Sequence, residues 1–268
     1  MKGRWNMGEY EFLRVKKEGG VGIITLDNPP VNVLNLKVLD ELEDAIEGMS
    51  EDEEVKAVVI TGAGTYAFSA GADVKMIKEL DPKEAESVVR LGHRVFNKVE
   101  NLSKPVIAAI NGLSLGGGNE LCMACDIRIS SDRARFSQPE VSLGLIPAWG
   151  GTQRMARLIG KAKAKELIFT GEMITAQEAL RIGLVNKVVP DGEELRAATD
   201  IARRIAMRSA PLAVRAAKRA INEGLQKPSF DEALEVEVDS IREIADSEDL
   251  REGIEAFLSK RNPKFKGK

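Results

Sequence analysis

The chain of 268 residues sets 39 Lys plus Arg against 42 Asp plus Glu, a net charge of −3, in a composition that is 43% hydrophobic and 30% charged. Such values describe one large globular domain, or one domain with a smaller companion, with a core that needs no disulfide or metal staples. They exclude a general polyanion binder, which needs a basic footprint, and the single histidine, His93, excludes a zinc site built on two or three His ligands of this chain.

The opening MKGRWNMGEYEF lacks the apolar centre of a signal peptide. The uncharged stretches 57–72 and 105–119 are broken by glycines and fall short of the ~18 apolar residues of a membrane helix. With two cysteines, Cys122 and Cys125, there is no disulfide framework, and a reducing cytoplasmic location is expected. In chain order, β-branched runs at 21–26, 57–61, 106–110, 127–130 and 185–189 read as strands. Residues 36–49 place Leu36, Leu39, Leu42, Ile46 and Met49 on one helical face, and 84–99 does the same with Val88, Leu91, Val95 and Val99. Strands alternating with helices predict an α/β core over 1–195. Residues 196–268 read as a helical C-terminal region, interrupted at 209–211 and 226–229, each break having a proline near a helix start.

Three motifs point to chemistry that the rest of the chain does not support. Gly62-Ala63-Gly64-Thr65-Tyr66-Ala67 fits a dinucleotide fingerprint but is followed by another turn, so no helix dipole would face a pyrophosphate. Gly112-Leu113-Ser114-Leu115-Gly116 fits a nucleophile elbow, whose base histidine should follow the serine; none follows position 93. Cys122-Met123-Ala124-Cys125 lies past the start of its helix, where the dipole would not activate a thiol, and reads as core.

Two glycine-rich turns remain, 68–73 and 115–120, each at the end of a predicted strand or turn. Consecutive glycines weaken a plain loop, but they permit close backbone approach and leave amides free for negative charge. One amide from each turn could hold a carbonyl oxygen as it becomes an enolate. Glu120 follows the glycines, and Glu140 follows Ser137-Gln138-Pro139, so two carboxyls stand ready for acid and base work.

These residues carry a resemblance. The segment 68–75, Asn111-Gly112 through Glu120, Cys125-Asp126-Ile127-Arg128, Gln138-Pro139-Glu140, Gly150-Gly151-Thr152-Gln153-Arg154, Thr170-Gly171-Glu172 and 179–185 resemble the enoyl-CoA hydratase/isomerase (crotonase) superfamily, in the same order and over almost the whole chain. The resemblance implies a spiral of repeated ββα units with a helical C-terminal region that builds homotrimers or homohexamers. It places oxyanion-hole amides at Ala72 and Gly117, and the two hydratase carboxyls at Glu120 and Glu140. It puts coenzyme A near Ala70, Ala72, Asp73, Val74, Lys75 and Gly117, with Lys264 of the tail close by. The implied activity is reversible hydration of trans-2-enoyl-CoA, with no metal, no redox cofactor, no nucleic acid and no membrane. A Δ3,Δ2-enoyl-CoA isomerase is the alternative, since it needs one carboxylate; a non-catalytic RNA-binding relative is disfavoured by the charge of −3. Asn119 and Trp149 depart from the residues of the best-known hydratases.

Two further expectations concern the acids and the surface. The helix N-terminus should favour ionised Glu120 as general base, while Val141 and Leu143 should raise Glu140 as proton donor. The apolar residues Leu212, Val214, Leu225, Leu234, Val236, Val238, Ile241, Ile244, Leu250 and Phe257 are many for a peripheral helical segment, and a trimer would cover them.

Overall fold

In a computed structural model that describes residues 10–268, β1 (Leu13–Glu18) and β2 (Val21–Leu26) pair antiparallel through a turn at Gly19-Gly20. The first nine residues, with most of the opening read above for a signal peptide, lie outside the described residues. Helix α1 (Leu36–Glu51) starts where the Asn35 side chain accepts from the Val38 amide. Its Leu39, Leu42, Ile46 and Met49 stripe is buried, as the periodicity predicts, whereas Leu36 at its start is 40% exposed.

Three ββα repeats follow. In the first, β3 (Ala57–Gly62) and β4 (Ala67–Ser69) lead to α2 (Val74–Glu79) and α3 (Pro82–Glu100). In the second, β5 (Val106–Ile110) and β6 (Leu113–Leu115) lead to α4 (Gly117–Ala124). In the third, β7 (Ile127–Ser131) and β8 (Arg135–Ser137) lead through a 3-10 turn, Glu140–Leu143, to α5 (Gly151–Ile159) and α6 (Lys161–Thr170). The chain continues with β9 (Ile174–Thr175), α7 (Ala176–Arg181), β10 (Lys187–Val189) and four helices: α8 (Glu194–Arg208), α9 (Pro211–Gly224), α10 (Phe230–Ile244) and α11 (Glu248–Leu258).

The first strand of each repeat joins a six-stranded sheet, β1-β2-β3-β5-β7-β10, and the second joins a four-stranded sheet, β4-β6-β8-β9. Within the smaller sheet β4, β6 and β8 run parallel, so their C-terminal ends lie side by side. Ligands of α/β sheets are held at such ends. The central strands β2, β3 and β5 of the larger sheet are largely apolar because both faces are covered. Val58, Ile60, Ala108 and Ile110 belong to the main core with α1 and α3, while Val59, Ile107 and Ala109 pack with Ala198 and Ala202 of α8.

The expected boundary at 195/196 lies next to the start of α8. That cut falls inside α8, which covers the larger sheet and belongs to the core; the peripheral part is α9 to α11. The breaks expected at 209–211 and 226–229 are present, with Pro211 opening α9 and Ser229 capping α10. A third break, before α11, is capped by Ser247 and carries no proline or glycine to announce it. Val236 is 6% exposed within the single chain, so it needs no partner to cover it.

A largely buried ion pair ties α9 to the core. Lys218 of α9 lies 2.7 Å from Asp126, whose Oδ2 also accepts the Val106 amide at 2.7 Å. Removing one partner of a largely buried pair leaves the other charge stranded. Lys218→Ala is expected to destabilise the protein by about 3 kcal/mol, read as a drop of roughly 5–10 °C in Tm. An unchanged Tm would show that the pair pins nothing.

Candidate active site

The loops that leave β4, β6 and β8 meet over one apolar cavity of about 190 Å³, lined among others by Ala70, Ala72, Val74, Gly117, Glu120 and Glu140. Gly71 has φ +90°, and a Cβ there would stand 2.6 Å from the Leu115 carbonyl and 3.0 Å from the Gly117 amide nitrogen. At Gly118 a Cβ would stand 2.3 Å from the Ser69 carbonyl. Only residues without side chains let these two backbones come so close.

The closeness sets two donors next to each other. The Ala72 amide nitrogen lies 3.4 Å from where a Gly117 Cβ would be. Gly117 is the first residue of α4, so its N–H has no partner in the helix. Among the described residues, neither this N–H nor that of Ala72 is taken up by another backbone group. The two amides therefore lie near each other at the N-terminus of α4, a place suited to an acceptor oxygen.

The carboxyls stand opposite. Glu120 is 2% exposed, and its Oε1 accepts the Gly151 amide at 2.6 Å, with the Trp149 amide as a second donor. Burial nevertheless pushes its carboxyl up to about 8, against the pull of those amides and with the charge of Glu140 adding to the rise. Burial raises Glu140 as well. Desolvation works against the ionised Glu120 expected from the sequence, opposing the helix N-terminus, whose effect is ~1 kcal/mol. The expected rise at Glu140 is found, although Glu140 itself opens a short 3-10 turn.

Glu140 Oε2 is buried without a hydrogen-bond partner among the described residues. Its other oxygen meets the amide of Gln138, 3.3 Å away, while that amide accepts from Asn119 at 2.8 Å. Turned over, the same amide would donate to the Gly116 carbonyl at 3.2 Å and present oxygen to Glu140, which suits a protonated carboxyl there.

Several supporting groups gave no signal in the sequence. His93 bonds the Ala148 carbonyl through Nε2 at 2.6 Å, and Arg154 bonds the Trp149 carbonyl at 3.0 Å while holding Asn97 and Glu100 of α3. Both clamp the segment whose amides grip Glu120. Asp73 caps α2 by accepting the Lys75 amide, and the exposed Lys75 side chain forms no ion pair among the described residues. Lys264 does not line the cavity: its amide is bound by Glu252, so the tail runs back along α11. Ser114 is fully buried with its hydroxyl 3.2 Å from Cys122, and burial pushes the Cys122 thiol up to about 12 and raises Cys125, which leaves neither thiol reactive. No group of His, Cys, Asp and Glu among the described residues could hold a metal ion, and no helix there is long and apolar enough to cross a membrane.

The family model for enoyl-CoA hydratase/isomerase matches residues 16–268. The chain belongs to that family. It is 48% identical over 254 residues to the short-chain-enoyl-CoA hydratase of Clostridium acetobutylicum, covering 94% of this chain and 97% of that protein. It is 44% identical over 257 residues to the crotonyl-CoA hydratase of Syntrophomonas wolfei, covering 96% and 98%. The crystal structure of an enoyl-CoA hydratase from Bacillus anthracis superposes with a TM-score of 0.92 at 40% identity, covering 96% of this chain and all of that one. The spiral of ββα units is therefore the fold that the sequence resemblance implies.

The raised Glu120 carboxyl has a consequence for stability. Its folded form holds a proton that the unfolded chain gives up above pH ~4.3, so the wild type loses stability as the pH climbs from there to about 8. Glu120→Gln removes this penalty. Relative to wild type it is expected to gain on the order of 3 kcal/mol between pH 5 and pH 9, measured by denaturant unfolding. A difference that stays flat with pH would refute the rise.

Proposed function

We propose that this site adds water reversibly across the C2=C3 bond of trans-2-enoyl-CoA thioesters. The observation that carries the reading is the pairing of two untaken amides, at Ala72 and Gly117, with one buried and one half-buried carboxyl, Glu120 and Glu140, lining one apolar cavity. The amides donate to the thioester oxygen and hold its charge as the enolate develops; one such donor contributes ~3 kcal/mol. Water sits between Glu120 and Glu140. An ionised carboxyl takes its proton as oxygen attacks C3, and a neutral one gives a proton to C2. Because the two groups lie close and both are raised, they titrate as a pair, and acid and base are roles of the pair. The roles exchange on dehydration. Isomerisation of 3-enoyl thioesters needs a single carboxylate, so the presence of both favours hydration. The exposed Lys75 supplies charge for the nucleotide phosphates, a contribution small by itself.

An absorbance assay with crotonyl-CoA tests this reading. Hydration is expected in the wild type, and Glu120→Gln and Glu140→Gln are each expected to lower kcat by ~10²–10⁴-fold. Absence of hydration at high enzyme concentration, or full activity in either variant, would reject it.

The assembly belongs to the same proposal. Leu225 and Phe257 are 82% and 83% exposed, and Ile241 and Ile254 of neighbouring helices are exposed as well. A second cavity of about 350 Å³ between α9, α11 and the tail is almost wholly apolar. Surfaces of this kind are covered by copies of the chain, and the reading is a homotrimer or a homohexamer made of two, in a cytoplasmic setting. Sedimentation at micromolar concentration is expected to give a trimer or its double, and Phe257→Asp to shift it toward monomer. A stable wild-type monomer would overturn the assembly.

A further inference from the structure

Trp149 occupies a place that no role above requires of its side chain. Its backbone amide serves Glu120, but its indole is 5% exposed and wedged between two helices that each offer a glycine. On α3, a Cβ at Gly92 would stand 2.2 Å from the indole Cδ1. On α4, a Cβ at Gly117 would stand 2.6 Å from Cε3 and Cζ3. The far edge meets Phe96 in a T-shaped contact, centroids 5.7 Å apart and planes at 84°. The ring thus fills the gap between α3 and α4 and forms one wall of the cavity beside the Gly117 amide.

The direction of the substrate follows from size. A thioester carbonyl held at Ala72 and Gly117 must send the coenzyme, far larger than a cavity of about 190 Å³, out past the exposed Val74, Leu143 and Ile146. The acyl chain is left with the buried end, where the indole stands. We infer that Trp149 is the specificity-determining wall of this site, seated by Gly92 and Gly117, and that it restricts the enzyme to short 2-enoyl chains. A smaller residue would leave a hollow running on toward Phe96, open to longer chains.

This inference rests on the hydratase reading, and the test separates the two. The kcat/KM for hydration is measured with trans-2-enoyl-CoA of four, six and ten carbons. For the wild type it is expected to fall at least tenfold from four to ten carbons. Trp149→Ala should raise the ten-to-four ratio at least tenfold, and Trp149→Phe, which keeps a ring against Phe96, should raise it less. Gly92→Ala pushes the indole into the cavity and should lower the six-to-four ratio. A flat wild-type profile, or ratios unmoved in the folded variants, overturns the role of Trp149 while leaving hydration intact. Turnover of no chain length removes the hydratase reading and this inference with it.

Discussion

A single carbon at Gly118 would collide with the Ser69 carbonyl at 2.3 Å, and one at Gly71 with that of Leu115 at 2.6 Å. The site depends on that contact between two backbones. It holds the turn after β4 against the N-terminus of α4, so that an amide of each lies beside the other. The parallel pairing of β4, β6 and β8 supplies the register, and the third strand end brings Gln138 and Glu140 alongside. Both amides are backbone groups on packed elements, so their positions are set by the fold.

The electrostatics of the carboxyls are settled by competition. A helix N-terminus and two amide donors favour a charged Glu120, and burial opposes it more strongly. The result is a carboxyl that is gripped yet reluctant to ionise, beside another that is also raised. Such a pair can keep one proton within the cavity at neutral pH. The grip is maintained from outside, by His93 on the Ala148 carbonyl and Arg154 on that of Trp149. The lone histidine, unavailable for nucleophile activation beside a buried Ser114, thus supports the loop that orients an acid.

The two halves of the chain differ in how they complete themselves. The α/β part buries its strands on both faces, with α8 closing the side that α1 and α3 leave open. The helices α9 to α11 are attached through Lys218 and Asp126 and keep large side chains in solvent. A fold can tolerate that surface when a neighbouring copy removes it from water.

What the sequence determined by itself is whatever rests on local pattern. The five apolar runs became strands of the larger sheet, since periodicity and β-branching act within a few residues. The glycine turns, Glu120 and Glu140 were legible as unusual chemistry, and family resemblance tied them to Ala72 and Gly117. The three-residue strands 67–69, 113–115 and 135–137 were not legible, being too short to show a period of two. Yet they alone bring the turns together. Nor could the sequence show that α8 belongs to the core, that the tail holding Lys264 folds onto Glu252, or that Trp149 lies between Gly92 and Gly117. The local argument for Glu120 left out the effect that opposes it. A helix terminus is visible in sequence, but the desolvation that outweighs it is a property of everything packed around the carboxyl, and only the tertiary structure decides how much water remains there.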